Sequence, residues 1–232
     1  EQAVCREALR LSLEHHRSLA VGLSGSQQSR GISDVFSQTD SRYELVDLMA
    51  LDIVIGSGGV LSHAPDRLSA ALMMIDGFGL QGLTQITVDS IFMLPHLGVL
   101  ASVNKDAAVQ IFDKDCLVNI AHCIAPVFYK KFKPNQVLAK VFLNNKESGL
   151  IFCDQVARLE LESKDSVSLR IEPQHSAVNV GMGKGKTLEA EIEPGLLGLI
   201  LDGRNRPITF PQDNSLRVSR QKSIYKNIGL EA

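Results

Sequence analysis

The sequence predicts an α/β fold that gives way to a mostly β second half, and three observations carry that prediction. An apolar run, Leu51 to Ile55, breaks into Gly56-Ser57-Gly58-Gly59 and then into an amphipathic pattern opening on Ala64-Pro65-Asp66. That order reads as strand, glycine turn, helix. Further helical patterns alternate with a strand-like run at Thr84 to Asp89, the spacing of a layered sheet. From Gln136 onward the runs become short and β-branched, with turn residues between them. The composition changes near residues 126 to 135, which divides the chain into an α/β part (1–130) and a mostly β part (131–232), a small sandwich or barrel.

The first element is a helix over about residues 3 to 20, where Val4, Ala8, Leu11 and Leu19 alternate with Arg6, Glu7, Arg10 and Glu14. Val21 to Tyr43 is rich in Gly, Ser, Gln and Asp and reads as a loop, and a short amphipathic stretch to Met49 leads into the strand at Leu51. After the glycine turn, Leu68, Ala71, Leu72, Ile75 and Phe78 fall on one helix face. Pro65 suits its first turn, Asp66 complements the helix dipole, and Gly77, Gly79 and Gly82 end it. Phe92 to Val103 reads as a helix with Pro95 near its start, and Ala107 to Ile120 as another, with Ala108, Ile111, Phe112 and Leu117 buried.

In the second half, strands are expected at 137–143, 149–153, 156–161, 166–171, 188–192, 196–201 and 207–210. Asp202-Gly203-Arg204-Asn205 between the last two signals a hairpin turn. A short helix follows near Val218 to Ile228.

Composition excludes more than it selects. The apolar share is 44%, the charged share 22% and the net charge −2, so no long-range attraction draws nucleic acid or a membrane. There is no tryptophan and only 5% aromatic residues, which weakens base stacking or sugar binding. No apolar stretch approaches the ~20 residues that span a bilayer, and no secretory leader pattern opens the chain. Cys5, Cys116, Cys123 and Cys153 lack a CxxC pair and read as reduced, mostly buried thiols of a cytoplasmic protein. Cys116 and Cys123 stand seven apart on the expected helix, where they pack in the core. The chain opens on Glu1 rather than Met, the look of a piece of a longer protein.

The residues that can carry chemistry are few. Gly56, Ser57, Gly58 and Gly59 let backbone amides approach a nucleotide closely; the alternative is a structural βα turn that binds nothing. Asp52 and Asp89 flank strand ends, where a carboxylate holds a ribose hydroxyl or magnesium, or else caps the next turn. Val180 to Thr187 ends like a phosphate loop in Gly185-Lys186-Thr187. However, Val180 stands where glycine is needed, and Leu188 to Ile192 alternates like a strand rather than a helix. The histidines, at 15, 16, 63, 96, 122 and 175, form no set at metal spacing, and no G-x-S-x-G frame supports a serine nucleophile. Arg204 and Arg206 stand in the expected hairpin loop, as a partner-binding patch or a solvated turn.

Leu51–Pro65, Asp76–Leu100 and Gly195–Pro211 together resemble one family, the MutL (GlmL) accessory proteins of cobalamin-dependent glutamate (methylaspartate) mutase. The resemblance covers most of residues 45 to 225 and rests most on the motifs at Ile55–Pro65 and Leu199–Pro207. It implies the C-terminal portion of an actin-like (ribonuclease H-like) ATPase domain, in a factor that helps a mutase keep or exchange its cobalamin. Gly56, Ser57, Gly58 and Gly59 would then form the adenosine side of the cleft. ATP and Mg would be the cofactors of the full-length parent, and cobalamin itself would not bind directly. The Asp-Gly-Ser/Thr-rich hairpin that holds the phosphates is not in this sequence, so the segment is expected to bind nucleotide weakly and to hydrolyse none. The family's Asp-Ala-Arg-Gly-Arg-Pro-like segment appears as Asp202 to Pro207, with Asn205 at its central glycine. A mutase subunit is the implied partner. A non-catalytic scaffold that docks a partner, and a sugar- or acid-kinase relative, are the competing classes.

Overall fold

The computed structural model describes residues 1–19, 46–161 and 165–230. The expected loop at 21–43 lies outside them.

The helix α1 (Gln2–Leu19) leads the chain. After a 3₁₀ turn at Leu48–Ala50 the apolar run forms β1 (Ile53–Gly56), followed by a one-turn helix α2 (Gly59–Ser62) that the pattern did not announce. Helix α3 (Arg67–Phe78) follows, and its cap is Asp66, whose carboxylate accepts the Ser69 N–H at 2.7 Å. Pro65 therefore precedes the cap rather than sitting in the first turn. Gly79 closes α3 in the left-handed region at φ 61°. Gly77 lies inside the helix, not at its end: a Cβ there would come within 2.7 Å of Leu9 Cβ, so α1 and α3 touch at this point. Along α3, Leu72, Met73, Met74 and Ile75 are fully buried, each contributing roughly 1.5–3 kcal/mol of hydrophobic stabilisation.

Next come β2 (Gly82–Asp89), α4 (Leu94–Ala101, with Pro95 in its first turn) and α5 (Lys105–Ile111). The helix expected to continue to Ile120 stops in a π turn at Phe112–Cys116, and Leu117–Ala125 is the strand β3. Cys116 thus ends the π turn and Cys123 lies in a strand, not on a shared helix. Residues Ile120 to Ala125 are all buried. A strand covered on both faces has no apolar–polar alternation, and its continuous apolar run does not distinguish it from a helix.

The second half supplies β4 (Val127–Phe128), β5 (Val137–Leu143), β6 (Lys146–Phe152), β7 (Val156–Leu159), β8 (Val167–Pro173), β9 (Val178–Asn179), β10 (Leu188–Ile192) and β11 (Leu199–Asp202). Helix α6 (Asn214–Ile228) follows, capped by Asp213. The expected hairpin at Asp202–Asn205 does not form, and residues 207–210 are not a strand. Instead the chain beyond β11 turns inward: Gly203 N–H donates to Gln155 at 2.8 Å and its carbonyl accepts from Asp154 at 2.9 Å.

Strand order in the five-stranded sheet is β1-β2-β3-β11-β7, with β1 parallel to β2, β3 parallel to β11 and the other pairs antiparallel. The second sheet, β10-β8-β5-β6, is wholly antiparallel. Each face of the five-stranded sheet has its own core. Cys123, Ala125 and Ile200 join α3 and α6, while Ile124, Leu199 and Leu201 join the four-stranded sheet. The architecture is mixed α/β followed by mostly β, in layers of helices, sheet and sheet. The five-stranded sheet runs through the composition change near 126–135, because β7 and β11 of the second half share a sheet with β1, β2 and β3.

Candidate functional site

Strand β1 occupies the edge of the sheet and delivers the glycine turn to the end of β2. The four turn residues are not equivalent. Gly56 is a packing glycine, since an added Cβ would meet Met74 Sδ at 2.7 Å. Gly58 has φ 109°, outside the range L side chains favour, and its carbonyl accepts the Ser62 N–H at 2.9 Å to start α2. At both Gly58 and Gly59 an added Cβ meets nothing within 4 Å. Those two face open space.

Ser57 points the other way. Its hydroxyl donates to Asp89 Oδ2 at 3.0 Å, while Ser62 Oγ donates to the Asp89 carbonyl at 2.6 Å. Asp89 is completely buried and also accepts the Met93 and Leu94 N–H groups at 3.0 and 2.9 Å. Burial by itself pushes its pKa up. The N–H groups of Leu94 and Met93, the Ser57 hydroxyl and the Ile91 N–H outweigh that, and the carboxyl is held below the ordinary range. Of the two strand-end carboxylates, Asp89 therefore caps α4 and braces the turn, and Asp52 is exposed.

On the open side of the turn lies a groove of about 690 Å³. Gly59, Val60 and His63 form one wall, and Arg6 of α1 with Tyr225 of α6 form the other. Arg6 Nη2 donates to the Tyr225 hydroxyl at 3.3 Å, and Nη1 sits 3.4 Å from Asp76 Oδ2, yet its buried Nε has no partner among the described residues. Sequence reasoning missed Arg6 and Tyr225. Neither carries a local signal, because the helices that bring them together are 219 positions apart in this pair.

Arg204 and Arg206 are elsewhere and are not a surface patch. Arg204 is 2% exposed and Arg206 9%. Arg204 binds Asp202 through Nε at 2.9 Å and Nη2 at 2.8 Å, and the same Nη2 reaches Asp76 Oδ1 at 2.8 Å. Arg206 donates to Asp202 at 2.9 Å, to the Leu80 carbonyl at 2.7 Å and to the Arg204 carbonyl at 2.7 Å. Burial alone would raise the Asp202 carboxyl, but Arg204 and Arg206 hold it well below the usual range. Buried and bonded to groups inside the protein, the two arginines do not form the partner-binding loop the sequence suggested. They form an ion-pair node.

The 180–187 segment is an irregular loop in which Asn179 Oδ1 accepts the Gly181 and Gly183 N–H groups at 3.0 and 2.9 Å. As the sequence indicated, a strand follows it, not a helix. Buried Cys123 has its thiol pushed up to about 12, mainly by burial, and is inert as a nucleophile. Among the described residues no group of three or more His, Cys, Asp or Glu is placed to hold a metal ion, and no helix is long and apolar enough to cross a membrane.

Fold and site define a layered α/β protein with a ligand-sized groove beside a glycine-rich strand-to-helix turn. The family model described as MutL protein matches residues 1–116, half of the 232-residue chain. The chain belongs to the MutL family, the glutamate mutase accessory proteins. The matched part contains the glycine turn, Asp89, Arg6 and Asp76. No curated protein and no solved structure matches the chain.

Proposed function

We propose that this chain serves, as the C-terminal segment of an actin-like ATPase, an accessory factor that reactivates cobalamin-dependent glutamate mutase in the cytoplasm. Its glycine turn lines the adenosine side of an ATP site. The observation that carries this reading is the open face of Gly59, the one turn residue that lines a groove of about 690 Å³, a volume within the range of small-molecule sites. A nucleoside lying against Gly59 would meet backbone rather than a side chain, with the Tyr225 ring and His63 at the walls and the unpartnered Arg6 Nε nearby. The described residues offer no ready metal cage, so magnesium would arrive on the phosphates of the nucleotide. The mutase subunit is the partner this reading implies.

A second reading, a non-catalytic scaffold with a structural turn, is favoured by Asp89. Its acceptors are already used by Ser57, Met93 and Leu94, so it has little left for a ribose.

Calorimetric titration of ATP·Mg into the chain separates the two. Gly59 has space for a side chain and ordinary backbone angles, so Gly59→Phe fills the groove without straining the turn. The nucleotide reading expects weak binding by the parent sequence and about a tenfold loss or more in Gly59→Phe, roughly 1.4 kcal/mol, at a melting temperature no lower than the parent's. Absent binding, or equal binding by both, leaves the scaffold.

A further inference from the structure

Lysines gather around the segment that follows β4. Tyr129 to Lys133 leave β4 as an irregular, bent segment, held to the 175–186 stretch by the Tyr129 N–H to Ala177 carbonyl bond at 3.0 Å. Lys130, Lys131 and Lys133 come from the first segment, and Lys184 and Lys186 from the loop; all are exposed. None of the five makes an ion pair among the described residues. Between residues 128 and 132, with Asn205 at one side, lies a groove of about 470 Å³ that no carboxylate lines. In a chain of net charge −2 this is a local concentration of positive charge.

The lysines are partly organised in advance. Lys184 Nζ lies 4.2 Å from the centre of the Tyr129 ring and Lys130 Nζ 4.8 Å from that of Phe132. Phe132 stacks edge-on against both Phe128 and His175. His175 Nδ1 accepts the Ala177 N–H at 3.0 Å, which fixes the ring beside the segment. Its Nε2 faces Lys130 Nζ.

We propose that this groove docks a carboxylate-rich segment of a protein partner. Nucleic acid fits less well, because its bases would stack on aromatic faces, and Lys184 lies over one face of Tyr129 while Lys130 lies over the half-buried Phe132. A membrane fits less well too, since Phe128 is buried, Phe132 half-buried, and only Tyr129 offers an exposed ring. The inference goes beyond the nucleotide reading and uses none of its residues.

The test is fluorescence anisotropy of a labelled hexaglutamate peptide titrated with the whole chain at low ionic strength. Lys131→Glu with Lys184→Glu should weaken binding by about tenfold or more, and Lys222→Glu on the outer face of α6 should change it by less than about twofold. Raising salt from about 50 to about 200 mM should weaken it as well, since these charges face solvent. The neutral pair Lys131→Gln and Lys184→Gln, checked by thermal melting, repeats the loss with less risk to folding. The proposal is overturned if the peptide does not bind or if the Lys222 variant loses as much as the groove variants. It is equally overturned if single-stranded DNA or phosphatidylserine vesicles bind the groove more tightly than the peptide. Because no nucleotide or mutase is present, failure of the ATP reading leaves this result untouched.

Discussion

Arg204 Nη2 donates to Asp76 Oδ1 at 2.8 Å across 128 residues of chain. Asp76 lies on α3 within the stretch that matches the MutL family, and Arg204 lies beyond it. The bond thus anchors the segment after β11 to the helical layer. Arg6 of α1 approaches the other Asp76 oxygen at 3.4 Å, and Arg206 and Asp202 complete the node. Arg6 also lines the candidate nucleotide groove, so node and groove share one residue.

Arg204→Met should therefore destabilise strongly. It leaves Asp202 and Asp76 buried at 0% and 9% exposure with fewer cationic partners, and breaking such a buried pair costs about 3–5 kcal/mol. Urea unfolding measures it. Combining Arg204→Met with Asp76→Asn should cost less than the two separate losses added together, because the second change removes a charge the first left stranded. Strict additivity would mean that the two residues do not interact.

His122 makes stability depend on pH. It lies in β3 with 6% exposure, and its Nδ1 has no partner among the described residues. Burial pushes its pKa down to about 4, against about 6.5 in an unfolded chain. Between those values the unfolded state binds the extra proton, so stability falls as pH drops through that window, by about 3 kcal/mol in all. Asp202, with its lowered pKa, adds its loss only below the ordinary carboxylate range, so the two windows separate. Melting temperatures measured stepwise from pH 7 to pH 4 should decline, and His122→Leu should flatten the decline. An unchanged slope in the variant assigns the effect to other groups.

What the sequence reveals follows the range of the forces involved. Helices α1, α3 and α6 and strands β5, β8 and β10 announce themselves because periodicity and caps such as Asp66 are local. Strand β3 does not, since burial on both faces erases the alternation that identifies a strand. The glycine turn is legible for the same local reason as α3. Which of its glycines faces open space is not, because that depends on Met74 lying beneath Gly56. Asp202-Gly203-Arg204-Asn205 looks like a solvated hairpin. Asp76 and the β6–β7 turn draw it inside, and neither is near it in sequence.

Gly203 is where that inward course is least tolerant. A Cβ built there would lie 1.9 Å from the Phe152 carbonyl oxygen, which is backbone and cannot rotate away. Gly203→Ala should cost about 2 kcal/mol or more by overpacking and should pull the ion-pair node apart. Thermal melting reads the loss. A melting temperature within about a degree of the parent would mean that the segment shifts freely, contrary to its hydrogen bonds with Asp154 and Gln155.

Gly58 and Gly59 are adjacent, equally open and should respond oppositely to alanine. At Gly58 the backbone sits at φ 109°, so a methyl group meets its own main chain and costs about 1–2 kcal/mol. At Gly59 the backbone is already helical and a Cβ meets nothing within 4 Å. Alanine there restricts the unfolded chain without straining the folded one, for a gain of about 0.4–1 kcal/mol. Gly58→Ala should then lower the melting temperature and Gly59→Ala raise it. Equal responses would place the constraint in something the two glycines share, such as a neighbour over the groove, rather than in the backbone at Gly58.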